Sequence, residues 1–314
     1  MAINKNVVRS VVSNLMNCSS EIHLWASSET HVKQIVYLLL HDRAILFHVD
    51  EIKYVFYPHK RSAILFPKYN CSLREYTSLV KEIQLAVDKI AQYTSRAKTT
   101  HDKELVIHDL LCSKVTYADE GKHSHSILGP LLEKCGTCDG ISKTAKVLFQ
   151  EAGLASHVIY GRAKSGESEE YLPHAWNLVK ANGLWYHIDI TFDNTLSRSN
   201  IRYDYFNLST AEIMVDHTIN TSSALNVVDC VNNNDFYVLN NRFFDSALHL
   251  KEYLHQCISR GECSVQVRVA KSLSEKDIIK TFHHAVLSAG KIIDYEQSIN
   301  LARNVYTWSI KYVR

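Results

Sequence analysis

The chain has no excess of charge of either sign. Its 35 lysines and arginines face 33 aspartates and glutamates, a formal net charge of +2 over 314 residues. The two signs are interspersed, so no basic stripe offers itself to nucleic acid or to an anionic membrane surface. Long apolar runs are missing too. The best of them, Ile35 to Leu40, is broken by His41-Asp42-Arg43 and is too short to span a bilayer. The first residues run from Met1 into Val7-Val8-Arg9-Ser10 without the apolar stretch of a secretion signal. Eight cysteines are present but show no framework spacing, which predicts reduced thiols in a reducing compartment, the cytoplasm. No internal repeat is evident. Hydrophobic residues make up 46% and charged residues 22%, an ordinary balance for a globular protein. A length of 314 residues predicts two or three domains.

Against that plain background the run Lys134-Cys135-Gly136-Thr137-Cys138-Asp139-Gly140-Ile141-Ser142 stands out. After Cys138, apolar residues fall at Ile141, Ala145, Leu148 and Ala152, one buried stripe of a helix. Gly153 is a suitable terminator for it. Gly136 and Gly140 flank its start and let the backbone turn tightly and approach a ligand. Cys138 is therefore expected in or beside the first helical turn. Unpaired N–H groups and the positive dipole end favour a thiolate there, below a thiol's usual pKa of about 8.5. The same N–H groups can hold an oxyanion. A buried, inert cysteine is the alternative, and the helix alone does not choose between the two.

Downstream, 174–179 and 185–190 read as two strands around Asn182-Gly183, a strong hairpin signal because both central residues of a type I′ turn need positive φ. A two-residue loop pairs Ala181 with Leu184 and makes His174 and Asp189 diagonal neighbours on one sheet face, roughly 7–8 Å apart. A three-residue loop would send Asp189 to the other face. An aspartate bonded to one imidazole nitrogen fixes the tautomer and leaves the other nitrogen for a thiol proton. Asp193 is a second choice for that aspartate. The chain has 17 histidines, and His123, His125 and His187 are read as ordinary hydrogen-bonding residues. Trp176 and Trp185 are read as core or cleft wall.

Cys135-Gly-Thr-Cys138 is also a CxxC, which raises a thioredoxin-like redox role. Residues 129–134 make a poor buried strand before it, and the histidine hairpin would go unexplained. His123, His125, Cys135 and Cys138 together offer four zinc ligands of suitable type, but no second CxxC or HxxxH supports the pattern.

Taken together, the chain resembles the transglutaminase-like superfamily of papain-type cysteine enzymes, in the manner of a bacterial-type multi-domain member. The resemblance rests on Gly136-Thr137-Cys138-Asp139-Gly140, on Ala152-Gly153-Leu154-Ala155-Ser156-His157-Val158, on His174-Ala175-Trp176-Asn177 and on Gly183 to Asp193. Ile107-His108-Asp109-Leu110, Val115-Thr116-Tyr117 and Tyr203 to Asn207 resemble the flanks of the same core, so the likeness covers roughly 98–216. It implies Cys138 as nucleophile, His174 as general base and Asp189 as the residue that orients it, with Tyr117, Trp176 and Asp139 as weaker candidates for substrate or oxyanion contacts. Ile141 and Ser142 stand where the family often has an aromatic, and Ile190 where it often has proline; neither change removes a catalytic group.

The expected fold is α+β: a papain-like core, with the cysteine helix packed on an antiparallel sheet, and small α/β flanking domains. The expected division is 1–97 as an N-terminal flanking region, 98–216 as the catalytic core, 217–234 as a linker and 235–314 as a small α/β domain. The first flank reads as helices over 6–17 and 29–41, strands over 44–57 and 62–69, and a long helix over 72–96. The last reads as strand 236–244, helix 246–259, strand 264–270, helix 274–290 and strand 305–313. The implied partner is a peptide or protein substrate. The mechanism requires no metal and no cofactor. Both cysteine peptidase or amidase and transglutaminase chemistry are compatible with these residues, as is a binding module on an inactive core.

Overall fold

The computed structural model describes residues 4–164, 166, 168–198, 200–220, 229–231, 234–291 and 293–313. Among the described residues the fold is α+β, with three separate sheets of three or four strands and a two-stranded bridge. Each larger sheet is covered by helices with one apolar stripe, the arrangement expected when every amphipathic element must bury its inner face.

The N-terminal unit sets helices Lys5–Met16 and Glu29–Asp42 on a sheet ordered Ile22–Trp25, Ser62–Tyr69, Val49–Tyr57. Val8, Val11, Leu15, Val32, Ile35 and Leu39 from the helices meet Leu24, Ile52, Ala63 and Leu65 in one apolar cluster. Of the strand expected over 44–57, the first part is a tight helical turn, Ala44–Leu46. The long helix Leu73–Thr94 starts at a capping box in which Ser72 and Glu75 satisfy each other's N–H groups. Its inner residues Ile83, Val87 and Ile90 lie in the same cluster as Ile141, Ala145 and Leu148 of the cysteine helix. The expected boundary at 97 therefore follows a helix whose Ile83, Val87 and Ile90 lie in the central cluster while its Tyr76 stacks on His48 of the N-terminal unit.

In the centre, helix Thr100–Lys114, capped by Thr99 and Asp102, and the cysteine helix Cys138–Glu151 pack on an antiparallel sheet ordered Leu184–Ile188, Leu172–Ala181, Ser156–Ala163, His217–Ile219. The hairpin closes on Asn182 (φ +50°) and Gly183 (φ +83°), with Ala181 opposite Leu184 and Asn177 opposite Ile188. That is the expected register. Beyond Ile188 the second strand stops. Asp189 caps a short helix, Ile190–Leu196, by accepting from the Phe192 N–H at 3.1 Å, so 190–192 are helical rather than extended.

His217–Ile219 pairs with Ser156–Ala163 as the fourth strand of this sheet, so the expected linker over 217–234 begins inside the core. Much of the remainder of that stretch, 221–228 and 232–233, lies outside the described residues. In the C-terminal unit, helices Ala247–Ser259 and Glu275–Ser288 cover a sheet ordered Phe243–Phe244, Ser264–Val269, Val305–Tyr312, Ile293–Asn300. Of the expected strand over 236–244, Phe243–Phe244 is extended while Phe236–Leu239 is a helical turn, because the Asp235 carboxylate accepts from the Tyr237 and Val238 N–H groups and starts a helix there. Phe236, Tyr237 and Val305 reach into the central cluster. Asp204 receives hydrogen bonds from Arg202, Tyr237 and Asn300, which ties the C-terminal unit to the core through buried polar contacts.

Candidate active site

Cys138 is the first residue of its helix and is partly exposed. Thr137 precedes it in extended conformation but does not cap the helix with its side chain. Its hydroxyl turns away, 3.3 Å from the Ser124 carbonyl and 3.1 Å from Nδ1 of His125. The first-turn N–H groups, which have no intrahelical acceptor, are thus left for whatever charge develops at Cys138. Gly140 is needed for a different reason than ligand approach. A Cβ there would lie 2.1 Å from the Ser124 carbonyl oxygen, so the glycine lets the 124–126 loop lie flat against the helix start. Gly140→Ala is expected to cost about 2 kcal/mol of stability or more, read by urea unfolding, since backbone cannot yield as a flexible side chain does.

His174, in strand Leu172–Ala181, sends Nε2 to Oδ2 of Asp189 at 2.7 Å and stands near enough to Cys138 for the thiol to bear on its charge. Burial alone would push the imidazole's pKa down. The charge and hydrogen bond of Asp189, with smaller contributions from Cys138, win and raise it to about 10. Asp189 is fully buried, and burial opposes its ionisation, yet His174 and His217 hold it well below the usual carboxylate range. Oδ1 takes the Phe192 N–H while Oδ2 takes both imidazoles, His217 at 3.0 Å. The Phe192 ring lies against the His174 ring, 4.7 Å between centroids.

The other expected residues fall as follows. Tyr117 pairs with Gly136 across the two-stranded bridge, near enough to Cys138 that the thiol's charge helps burial raise its hydroxyl pKa; it is a neutral donor half open to solvent. Trp176 is wholly buried, donates to Nδ1 of His187 at 3.0 Å and backs His174 from inside the sheet. Burial and the charge of His217 lower the pKa of His187 to about 4, and it accepts from Trp176 as a neutral ring. Asp139 accepts from Tyr160 at 2.8 Å and from Lys143 at 2.7 Å. Asp193 is turned away from the site to His108, at 3.1 Å.

His123 and His125 face Glu133 and Asp119, and among the described residues they do not gather with Cys135 and Cys138 into a metal-binding group. His174, Asp189 and His217 do bring three ligand-type atoms within 4.8 Å of one another. Both nitrogens, however, already meet the same carboxylate oxygen at hydrogen-bond length, which makes the cluster a proton-bearing network. Two cavities adjoin the site. One of about 350 Å³ runs beside Asp139 and is walled by His41, Arg43, Asp50, Lys122 and Lys143. Another of about 370 Å³ lies behind Phe192, between Tyr205, Asp216 and Leu301. His217, Asp216 and Arg303 carry no local signal as site residues; His217 opens the expected linker and Asp216 is the last residue of the expected core.

Residues 88–190 match the family model of the transglutaminase-like superfamily. The chain carries a transglutaminase-like core. Nothing among curated proteins matches the chain. Similar solved structures include a protein described as a TGase, at 15% identity and a TM-score of 0.32, over 55% of this chain and 50% of its own. A candidate cysteine protease from Cytophaga hutchinsonii shares 16% identity at a TM-score of 0.29, over 45% and 61%. The periplasmic domain of TgpA from Pseudomonas aeruginosa shares 15% at 0.26, over 42% and 55%. The chain thus spans half to three-fifths of the length of these proteins. The assignment of the transglutaminase-like core rests on the family match. Among the described residues no helix is long and apolar enough to cross a membrane.

Proposed function

We propose that this protein is a thiol-dependent acyl-transfer enzyme that opens amide bonds through Cys138, His174 and Asp189, with water as the acceptor: a cysteine peptidase or amidase. The observation that carries the reading is the His174 Nε2–Asp189 contact at 2.7 Å, with Cys138 nearby at an uncapped helix start. The thiol proton already rests on His174 as an imidazolium, and the Cys138 thiolate attacks the carbonyl. The first-turn N–H groups, with Tyr117 as a further donor, hold the oxyanion. His174 then protonates the departing amine as the C–N bond breaks and the thioester remains. Water, losing its proton to His174, attacks the thioester and releases the acid and the thiol.

Hydrolysis is favoured over transfer to an amine because water is always at hand, whereas transamidation needs it kept out. Transfer to a primary amine, as in a protein-glutamine transglutaminase, is the second reading. A binding module is disfavoured because all three groups are present and stand together. The eight cysteines without framework spacing support a reducing compartment, the cytoplasm.

The test is alkylation of native protein by iodoacetamide across pH, read by peptide mass spectrometry. Cys138 should label fast at pH 6, ahead of exposed Cys263, and lose that advantage in His174→Ala. Equal rates for the two thiols would end the catalytic reading. Incubation of glutamine peptides and amides with a dansylated primary amine then separates the acceptors. Free acid without dansyl incorporation is expected, and predominant incorporation would reverse the choice.

A further inference from the structure

The candidate triad does not end at Asp189. Behind it stands His217, fully buried on the edge strand His217–Ile219. Its Nε2 faces Asp189 Oδ2 at 3.0 Å and its Nδ1 faces Asp216 Oδ1 at 2.7 Å. Ionised carboxylates only accept, so both ring nitrogens donate and the ring carries a positive charge. Asp216 is held in turn by Tyr205, which donates to Oδ2 at 2.7 Å, and by Nη2 of Arg303, 3.3 Å from Oδ1. Arg303 belongs to the C-terminal unit, on the turn between Ile293–Asn300 and Val305–Tyr312, and its guanidinium lies over the Tyr205 ring at 5.2 Å.

We infer that His217 is a positioning residue for the triad, and that Asp216 and Arg303 carry its effect to the C-terminal unit. This inference rests on the functional reading above. Oδ1 of Asp189 is occupied by the helix cap, so its orientation toward His174 depends on what else holds Oδ2, and His217 is that second donor. The two imidazoles lie 5.5 Å apart between ring centroids and share one carboxylate oxygen. A cation at that distance opposes the charge on His174 and so limits how tightly His174 keeps its proton, which it must release to the leaving amine. The charged and titratable groups around His217 are His174, Asp189, Asp216 and Tyr205, with Arg303 beyond Asp216 and His187 across Trp176. Trp176, Phe192 and Tyr205 pack against the buried ring. The C-terminal unit is then more than an appendage: it stabilises the active site from behind.

The decisive measurement is the titration of the His174 ring by NMR in histidine-labelled full-length protein, assigned by loss of its signal in His174→Asn. Glutamine resembles imidazole in placing a nitrogen at the Nε2 position, so His217→Gln keeps one donor toward Asp189 while removing the charge. His174 is expected to hold its proton to a pH about one unit or more higher in His217→Gln. Arg303→Met should shift it the same way by less. A merely structural role would lower the folded fraction without moving the midpoint. An unchanged midpoint in folded His217→Gln overturns the inference; if that variant does not fold, Arg303→Met decides it by the same criterion. Iodoacetamide labelling of the unsubstituted protein is run alongside. Slow labelling of Cys138 there would defeat the catalytic reading, whereas a fixed His174 midpoint defeats only the role of His217.

Discussion

Asp189→Asn is expected to leave the fold in place and to lower amide turnover by about 10⁴, the size of effect seen when an orienting carboxylate becomes an amide. The fold should survive because asparagine caps helices as well as aspartate does, so the Phe192 N–H keeps its acceptor. What changes is the other oxygen. An amide nitrogen in its place would meet His174 and His217 with hydrogens where both rings now donate. One ring must turn or change tautomer, and the nitrogen facing Cys138 loses its defined state. His174 also loses the charge that raises its pKa to about 10, and burial then pushes it below the ordinary histidine value. The imidazolium that supports a Cys138 thiolate near pH 6 disappears, so iodoacetamide labelling at pH 6 should fall with turnover. Turnover within tenfold of the unsubstituted protein would mean that Asp189 is not the orienting group.

That contact was largely readable from the sequence because three local rules combine to produce it. Asn182-Gly183 permits a two-residue turn, the turn fixes the register, and the register puts His174 and Asp189 on one face. The cysteine helix was readable from its apolar stripe, all of it buried in the structure. The rest depended on contacts with no local signature. His217 is brought to Asp189 by an edge strand of three residues in a stretch whose composition reads as a loop. Arg303 comes from a turn more than 110 residues beyond the hairpin, and a lone arginine among 35 basic residues announces nothing. The helix Leu73–Thr94 was legible as an element but not as part of the core, because an amphipathic pattern states that a face is buried and not against what. The strand expected over 236–244, helical at its start, shows the converse, since the capping power of Asp235 outweighed the β-branched and aromatic residues after it.

Glu104 gives the second large effect, on stability rather than rate. It lies on helix Thr100–Lys114, wholly buried; Oε2 accepts from Asn207 at 2.8 Å while Oε1 has no partner. Burial raises its pKa from 4.5 to about 8, against the smaller opposing effects of Asn207 and His108. A carboxyl whose folded pKa exceeds its unfolded one favours the folded state fully below the unfolded value, near pH 4.5. That advantage is lost progressively as pH rises through about 8, because the unfolded chain releases the proton long before the folded one does. Glu104→Gln removes the linkage. The variant should gain about 3–5 kcal/mol relative to the unsubstituted protein between pH 4 and pH 9. Taking the difference between the two proteins matters, since His174 and Asp193 also have raised pKa values and tilt both curves alike. Urea unfolding of both proteins at pH 4, 6.5 and 9 reads the effect. A constant difference across that range would mean that Glu104 is ionised in the folded protein, and the buried carboxyl would then require a cationic partner rather than a proton.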